Sequence, residues 1–215
     1  MPQPKGWLIA KEGLPFLIGA AFFVLLFALV GWKILFILSI LLALFIAFFF
    51  RNPKRKIPEA RNVIVSPADG KVIEVGKCQE TRYLQEETLK VSIFMSLFDV
   101  HMNRSPVSGR VFKTAYNPGK FRVAHVEKSS LLNEQNAILM MVEEQWRVLV
   151  VQIAGFLARR IISYATSGET LQRGQIFGLI CFGSRVDLHL PPGVKPIVKV
   201  GQKVKGGESI IGYLP

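Results

Sequence analysis

The chain has 215 residues and a mass of 24.1 kDa, room for one ordinary domain with a small appendage and not for a large multidomain protein. Half of its residues are hydrophobic and its mean hydropathy is +0.35, yet 27 Lys+Arg stand against 15 Asp+Glu, a net charge of +12 and a pI near 10.0. So apolar a composition excludes disorder, and positive charge joined to grease points to a membrane surface before nucleic acid. The two cysteines, Cys78 and Cys181, give neither a disulfide framework nor the four-ligand spacing of structural zinc. They read as reduced thiols in a cytosolic compartment.

The apolar excess is concentrated. From Pro15 to Phe50 the only charged residue is Lys33, and nine of the 16 phenylalanines fall there. One straight helix of that length would run about 54 Å, too long for a core of about 30 Å without extreme tilt. Two helices, about 15–30 and 34–50, fit better, with Gly31, Trp32 and Lys33 as the turn. One tilted span with an interfacial piece is the second reading; a cleaved signal peptide is a poor third, because the run is about twice too long and no small-residue cleavage site follows. Lys5 and Lys11 precede the run and Arg51, Lys54, Arg55 and Lys56 follow it, which places both ends in the cytoplasm. Residues 1–56 are therefore expected to be a membrane anchor and 57–215 a mildly basic soluble domain large enough for its own core.

Beyond Pro58 the pattern changes to short β-branched runs between Gly and Pro: 63–65, 71–75, 89–95, 110–114, 138–142, 147–153, 176–181 and 185–190. This spacing predicts a mainly β fold with few short helices, the helical candidates being Leu157–Tyr164 and Glu80–Glu87. Two segments echo each other, Ser66-Pro67-Ala68-Asp69-Gly70-Lys71-Val72 and Ser105-Pro106-Val107-Ser108-Gly109-Arg110-Val111, each a Pro-initiated turn opening a new strand. With the glycine turns near Gly201 and Gly206-Gly207, they resemble the hammerhead turns of biotinyl and lipoyl carrier domains, which implies a barrel-sandwich hybrid. The carrier lysine of those domains is not evident, so the likeness covers turns and not chemistry.

The run Phe182-Gly183-Ser184-Arg185-Val186-Asp187 carries more. With SPADG at 66–70, FDVHMNRSPVSG at 98–109, NPGKF at 117–121, NEQN at 133–136, and QIAG and ARR between Gln152 and Arg160, it resembles the short class of phosphatidylserine decarboxylases across the soluble domain. The resemblance implies a self-processing proenzyme: Ser184 attacks the Gly183 carbonyl, the ester eliminates, and the chain parts into a β chain 1–183 and an α chain 184–215 headed by a covalent pyruvoyl group. It further implies that this ketone forms a Schiff base with phosphatidylserine, releasing carbon dioxide and phosphatidylethanolamine. Such chemistry needs an electron sink that side chains do not offer, and glycine before the serine leaves the attacked carbonyl open. Nothing requires a metal or an external cofactor. The implied partners are the anionic phospholipid, the membrane and the two fragments of the chain itself, with no nucleic acid; the oligomeric state is open.

The family likeness makes His101 the active-site imidazole, in Asp99-Val100-His101, where period-two alternation would put Asp99 on the same face as the ring. Asp69 matches the carboxylate that orients the base in longer members; its plainer role is a turn cap. Longer members carry H-x-x-H, and the place three residues after His101 is Arg104; their cleavage motif reads LGST rather than FGSR. Arg185 and Arg104 are the candidate cations for substrate carboxylate or phosphate, His189 is a reserve base, and His125 a surface or lipid-facing residue. A lysostaphin-like zinc peptidase fails for want of its H-x3-D and H-x-H ligands. A membrane-anchored adaptor with a biotinyl-like domain is the non-enzymatic reading, and archaetidylserine is a second possible substrate for the same chemistry.

Overall fold

The computed structural model describes residues 8–119, 133–155, 160–181 and 183–215. The chain divides into two compact units, Pro4–Lys54 and Arg55–Pro215.

The smaller unit is a helical hairpin. A 3-10 turn at Lys11–Gly13 leads into α1 (Leu14–Val30), and α2 (Lys33–Phe49) returns. Gly31 adopts φ 78°, the left-handed conformation that ends helices at glycine. Its N–H donates to Ala28 O and that of Trp32 to Phe27 O, while the Trp32 ring stacks on Phe27. At the open end Ala10 N–H donates to Phe50 O at 2.8 Å and Asn52 N–H to Leu8 O at 2.6 Å, which clasps the two ends side by side. Both helices are apolar around most of their circumference and expose it: Leu29 is 87% and Ile34 75% accessible.

The larger unit is mainly β. Strands β1 (Val63–Val65), β2 (Gly70–Glu80), β3 (Glu86–Met95), β4 (Met102–Arg104), β5 (Gly109–Asn117), β6 (Gln135–Val142), β7 (Trp146–Ala154), β8 (Ile161–Ser163), β9 (Thr170–Leu171), β10 (Ile176–Ile180), β11 (Ser184–Leu190), β12 (Lys195–Pro196), β13 (Lys203–Val204) and β14 (Ile210–Tyr213) are described. A curled eight-stranded antiparallel sheet runs β13-β2-β3-β11-β7-β6-β5-β9, beside two three-stranded sheets, β1-β14-β12 and β4-β10-β8. The core includes Val72, Ile93, Val150, Val186 and Leu188 from the large sheet, with Ile64, Phe177 and Ile211 from the small ones. Each aliphatic side chain so buried contributes about 1.5–3 kcal/mol.

The eight predicted strands all form, most of them one to several residues longer than their β-branched cores. The predicted helix at Glu80–Glu87 does not: Glu80 ends β2, a turn follows, and Glu86 opens β3. The Glu80 carboxylate explains the turn, accepting the N–H groups of Arg82, Tyr83 and Leu84. Burial raises its pKa, but these three donors lower it further, and the net is a depressed value. The predicted helix at Leu157–Tyr164 lies partly outside the described residues; where described, Ile161–Ser163 is strand.

The echoing turns are the two halves of an internal repeat. Ser66 Oγ donates to Ala68 O and Ser105 Oγ to Val107 O, both at 2.7 Å. Val65 N–H donates to Pro106 O and, reciprocally, Arg104 N–H to Pro67 O. Each turn meets a glycine turn from later in the chain: Gly207 N–H donates to Ser66 O and Gly174 N–H to Ser105 O, both at 2.8 Å, with φ of 79° and 77°. Gly201 N–H donates to Val72 O as Gly168 N–H does to Val111 O. Asp69 Oδ1 accepts Gly206 N–H where Ser108 Oγ accepts Arg173 N–H.

Candidate functional site

Ser184 is the first residue of β11, the strand held between β3 and β7, and it is fully buried. It stands opposite Met95 and Ala154, and its Oγ lies 3.6 Å from Met95 Sδ. Strand alternation puts Ser184 on the core face with Val186 and Leu188. Gly183 precedes it at a bend; among the described residues, a Cβ there would meet only Met95 O, at an ordinary 3.9 Å.

At this end the core turns polar. Asn136 Nδ2 donates to Gln152 Oε1 at 2.9 Å, Gln152 Nε2 donates to Asn103 Oδ1 at 2.8 Å, and Asn103 Nδ2 reaches Met95 Sδ at 3.6 Å, the sulfur that Ser184 also contacts. Asn133 Nδ2 bonds Ala154 O beside Ser184. None of these amides was singled out from the sequence as a site residue. The available signal was Gln152, a polar side chain on the same face as Val150 and Ala154 in a stretch, Val148–Ala154, that is otherwise apolar.

His101 is buried just before β4, and its Nδ1 lies 2.9 Å from the main-chain oxygen of Asp99. A carbonyl only accepts, so Nδ1 carries the proton and Nε2 is the basic nitrogen. The Asp99 carboxylate caps a turn: Asp99 Oδ2 accepts the N–H and hydroxyl of Ser96 at 2.8 and 2.6 Å, so 96–99 is not extended and the alternation expected of Asp99 and His101 does not apply.

The Asp69 carboxylate takes both of its oxygens to Arg55 Nη2, at 2.7 and 2.9 Å, as well as accepting Gly206 N–H. Burial raises its pKa, outweighing the pull of Arg55 and Gly206, and the Asp99 charge adds to the rise. Glu208 lies 3.7 Å from Arg55 and accepts Lys56 N–H. Arg104 donates to Gly174 O at 3.0 Å; burial first and then the Arg55 charge lower its pKa to about 10.

Arg185 sits on the face of β11 opposite Ser184, buried, with Nε and Nη2 at 2.9 and 3.0 Å from the two oxygens of Asp187. His189 shares that face, with Nδ1 3.1 Å from Thr88 Oγ1, and burial lowers its pKa. Five residues along a strand amount to roughly 17 Å, so His189 is no base for Ser184. His125 lies outside the described residues.

Fold and site together define a mainly β protein with a buried serine after glycine at the head of its central strand, and with a buried imidazole oriented by a main-chain oxygen. Residues 42–212 match the sequence profile of the family described as phosphatidylserine decarboxylase. Similar proteins include a phosphatidylserine decarboxylase proenzyme of Geotalea uraniireducens (strain Rf4), 48% identical over 211 residues, covering 98% of this chain and 99% of that one. Another of the same description, from Syntrophotalea carbinolica, is 48% identical over 206 residues and 96% of each chain. The chain belongs to the phosphatidylserine decarboxylase family.

Proposed function

We propose that the protein is a phosphatidylserine decarboxylase made as a proenzyme that cuts itself between Gly183 and Ser184. The observation that carries the reading is the Gly183–Ser184 junction itself, with Ser184 buried at the head of β11 and Gly183 half-buried before it, in a chain of this family. The residues fit a pyruvoyl group derived from Ser184. Its hydroxyl contacts a thioether, a weak acceptor, so converting the side chain strands no strong hydrogen-bond partner. That group supplies an electrophilic carbonyl as the electron sink for loss of carbon dioxide.

The chain's own residues do the rest. His101, with Nδ1 fixed on Asp99 O, takes the Ser184 proton at Nε2 and later returns a proton to product. Asp99 shapes the turn that holds that carbonyl; Asp69, with Arg55, anchors the turn beside Arg104. Arg104 is assigned the anionic headgroup, while Arg185, on the face of β11 opposite Ser184, is committed to Asp187 rather than to substrate. The substrate is phosphatidylserine, and the α and β fragments stay joined through the β3–β11 and β7–β11 ladders. The hairpin is read as two spans in the cytoplasmic membrane, with the catalytic unit on the cytoplasmic side. The paired turns support a barrel-sandwich arrangement like that of biotinyl and lipoyl domains.

Denaturing mass spectrometry of the purified protein tests the reading. We expect a 184–215 fragment with a blocked N-terminus, and Ser184→Ala to stay whole and inactive; an intact, active wild-type chain refutes it.

A further inference from the structure

We propose that Asn103 donates its side-chain N–H to the oxyanion that forms on Gly183 during self-cleavage, with Gln152 and Asn136 as the positioning residues that aim it. The inference rests on the reading that Gly183–Ser184 is the bond cut.

The direction of the amide chain is fixed by its chemistry. Asn136 gives N–H to Gln152 Oε1 and Gln152 gives N–H to Asn103 Oδ1, so Asn103 presents Nδ2 at the far end, toward Met95 Sδ. The reverse sense would set Asn103 Oδ1 against the sulfur, acceptor on acceptor. All three amides are buried, Asn103 and Gln152 completely. Burying three amides is costly unless every strong group is used. Here two are satisfied and the last donor ends on a thioether, a weak acceptor. Ser184 Oγ ends on the same sulfur, also at 3.6 Å. Two donors thus converge on one weak acceptor at the head of β11, and the N–H of Asn103 retains nearly all its bonding capacity.

Self-cleavage creates the strong acceptor that this donor lacks. Ser184 Oγ adds to the Gly183 carbonyl carbon and gives its proton to the base. The π electron pair moves to the carbonyl oxygen, and as it returns the carbon–nitrogen bond to Ser184 breaks and the nitrogen takes a proton, leaving the ester. An N–H already dehydrated and aimed strengthens its bond as charge develops, with no reorganisation at that moment. Loss of one such donor slows acyl transfer by about 10²–10³-fold.

The test follows cleavage of newly made chain in a cell-free translation pulse-chase, read by denaturing gel and intact mass, across pH. Asn103→Ala should cleave about 100- to 1000-fold more slowly than wild type. Asn103→Asp is near-isosteric and replaces the donor with an acceptor at neutral pH. Its rate relative to wild type should climb as the pH falls and the carboxyl regains a proton to donate; Gln152→Glu should show the same signature one step back. A purely structural role would make these ratios follow the folded fraction of each variant, measured at each pH by melting in the uncut Ser184→Ala background, and leave them flat once corrected for it. Wild-type rates in Asn103→Ala, or a flat corrected Asn103→Asp ratio, overturn the inference while leaving the cleavage reading intact. A wild-type chain that is never cut at Gly183–Ser184 overturns both. Should Asn103→Ala fail to fold, as judged by melting in the uncut Ser184→Ala background, the pH dependence of Asn103→Asp decides.

Discussion

Asp69 and Arg55 form a buried ion pair, 2.7 Å at its closest, with side chains 14% and 6% exposed. The pair joins the segment that opens the larger unit to the SPADG turn. Through Gly206 and Glu208 it also holds the segment that would become the α fragment. Asp69 is thereby committed to structure at a point where its twin in the internal repeat, Ser108, makes the equivalent bond with a neutral hydroxyl. The charge at this position is answered by Arg55.

Arg55→Ala should therefore destabilise the chain by about 3–5 kcal/mol, the usual result of leaving a buried charge without its partner. The effect depends on pH. Burial already raises the Asp69 pKa against the pull of Arg55, and removing the guanidinium raises it more. A carboxyl with a raised folded-state pKa contributes stability that is full below its unfolded value and lost as pH rises through the folded one. The deficit of Arg55→Ala should be largest at neutral pH and shrink in acid, and Asp69→Asn in the same chain should recover part of it. Urea unfolding in the uncut Ser184→Ala background measures this; an equal deficit at about pH 4 and pH 7.5 would count against the charge argument.

For His101 the structure separates two ways of orienting an imidazole. Its Nδ1 is held by the main-chain oxygen of Asp99 and the carboxylate is turned to Ser96. His101→Ala should slow self-cleavage, turnover or both by about 10²–10⁴-fold. Asp99→Asn keeps the main-chain oxygen and an acceptor for Ser96, and should stay within about fivefold of wild type, the effect of one neutral hydrogen bond. Asp99→Ala, which frees the turn, should fall between. If Asp99→Asn matched His101→Ala, the carboxylate would be the orienting group after all.

These residues also show what was legible in the sequence. Val63–Val65 declared itself as a β-branched run buried on both faces, Arg147–Ile153 as a run apolar except for Arg147 and Gln152, and Arg185–Leu190 by alternation, with Val186, Leu188 and Leu190 on the core face. Strands β9, β12 and β13 are two residues each and carry no periodicity to read. Glu80–Glu87 looked helical because its glutamates and leucine are good helix formers, but the Glu80 carboxylate outbids the helix for three backbone donors. Ser184 was visible through its neighbours in the chain. Asn103, Gln152 and Asn136 were not, because their partnership spans three strands and exists only in the fold. Asp99 misled because its alternation with His101 presupposed an extended backbone that the Ser96 turn removes.

Glu80 yields a prediction from a carboxyl whose pKa is shifted the other way from that of Asp69. Its pKa is depressed because three backbone donors outweigh burial, so its contribution is present above the unfolded value and lost as pH falls through the folded one. Glu80→Gln should destabilise by about 1–3 kcal/mol at neutral pH. The gap to wild type should close in acid, read as converging thermal midpoints below about pH 4. A gap that stayed constant with pH would assign the loss to shape rather than charge.

The hairpin makes the last prediction. A surface with Leu29, Ile34 and Ile18 each more than two-thirds exposed is not one that water tolerates. Lys11–Val30 is long and apolar enough to cross a membrane, and α2, at 17 residues, is about 26 Å long, slightly short of a core of about 30 Å. Arg51 marks one boundary, donating to Phe48 O at 2.8 Å with its guanidinium 3.8 Å over the Phe48 ring. The clasp between residues 8–10 and 50–52 forces both ends to one side. The protein should stay with membranes through an alkaline carbonate wash. Protease should digest the larger unit in inside-out vesicles and spare it in right-side-out ones. Leu25→Arg with Leu42→Arg places two charges on exposed faces of the helices at about 2.5–3.5 kcal/mol each, and should move the chain to the soluble or aggregated fraction. A wild-type chain released by carbonate would instead make the hairpin an interfacial element, lying on the membrane rather than through it.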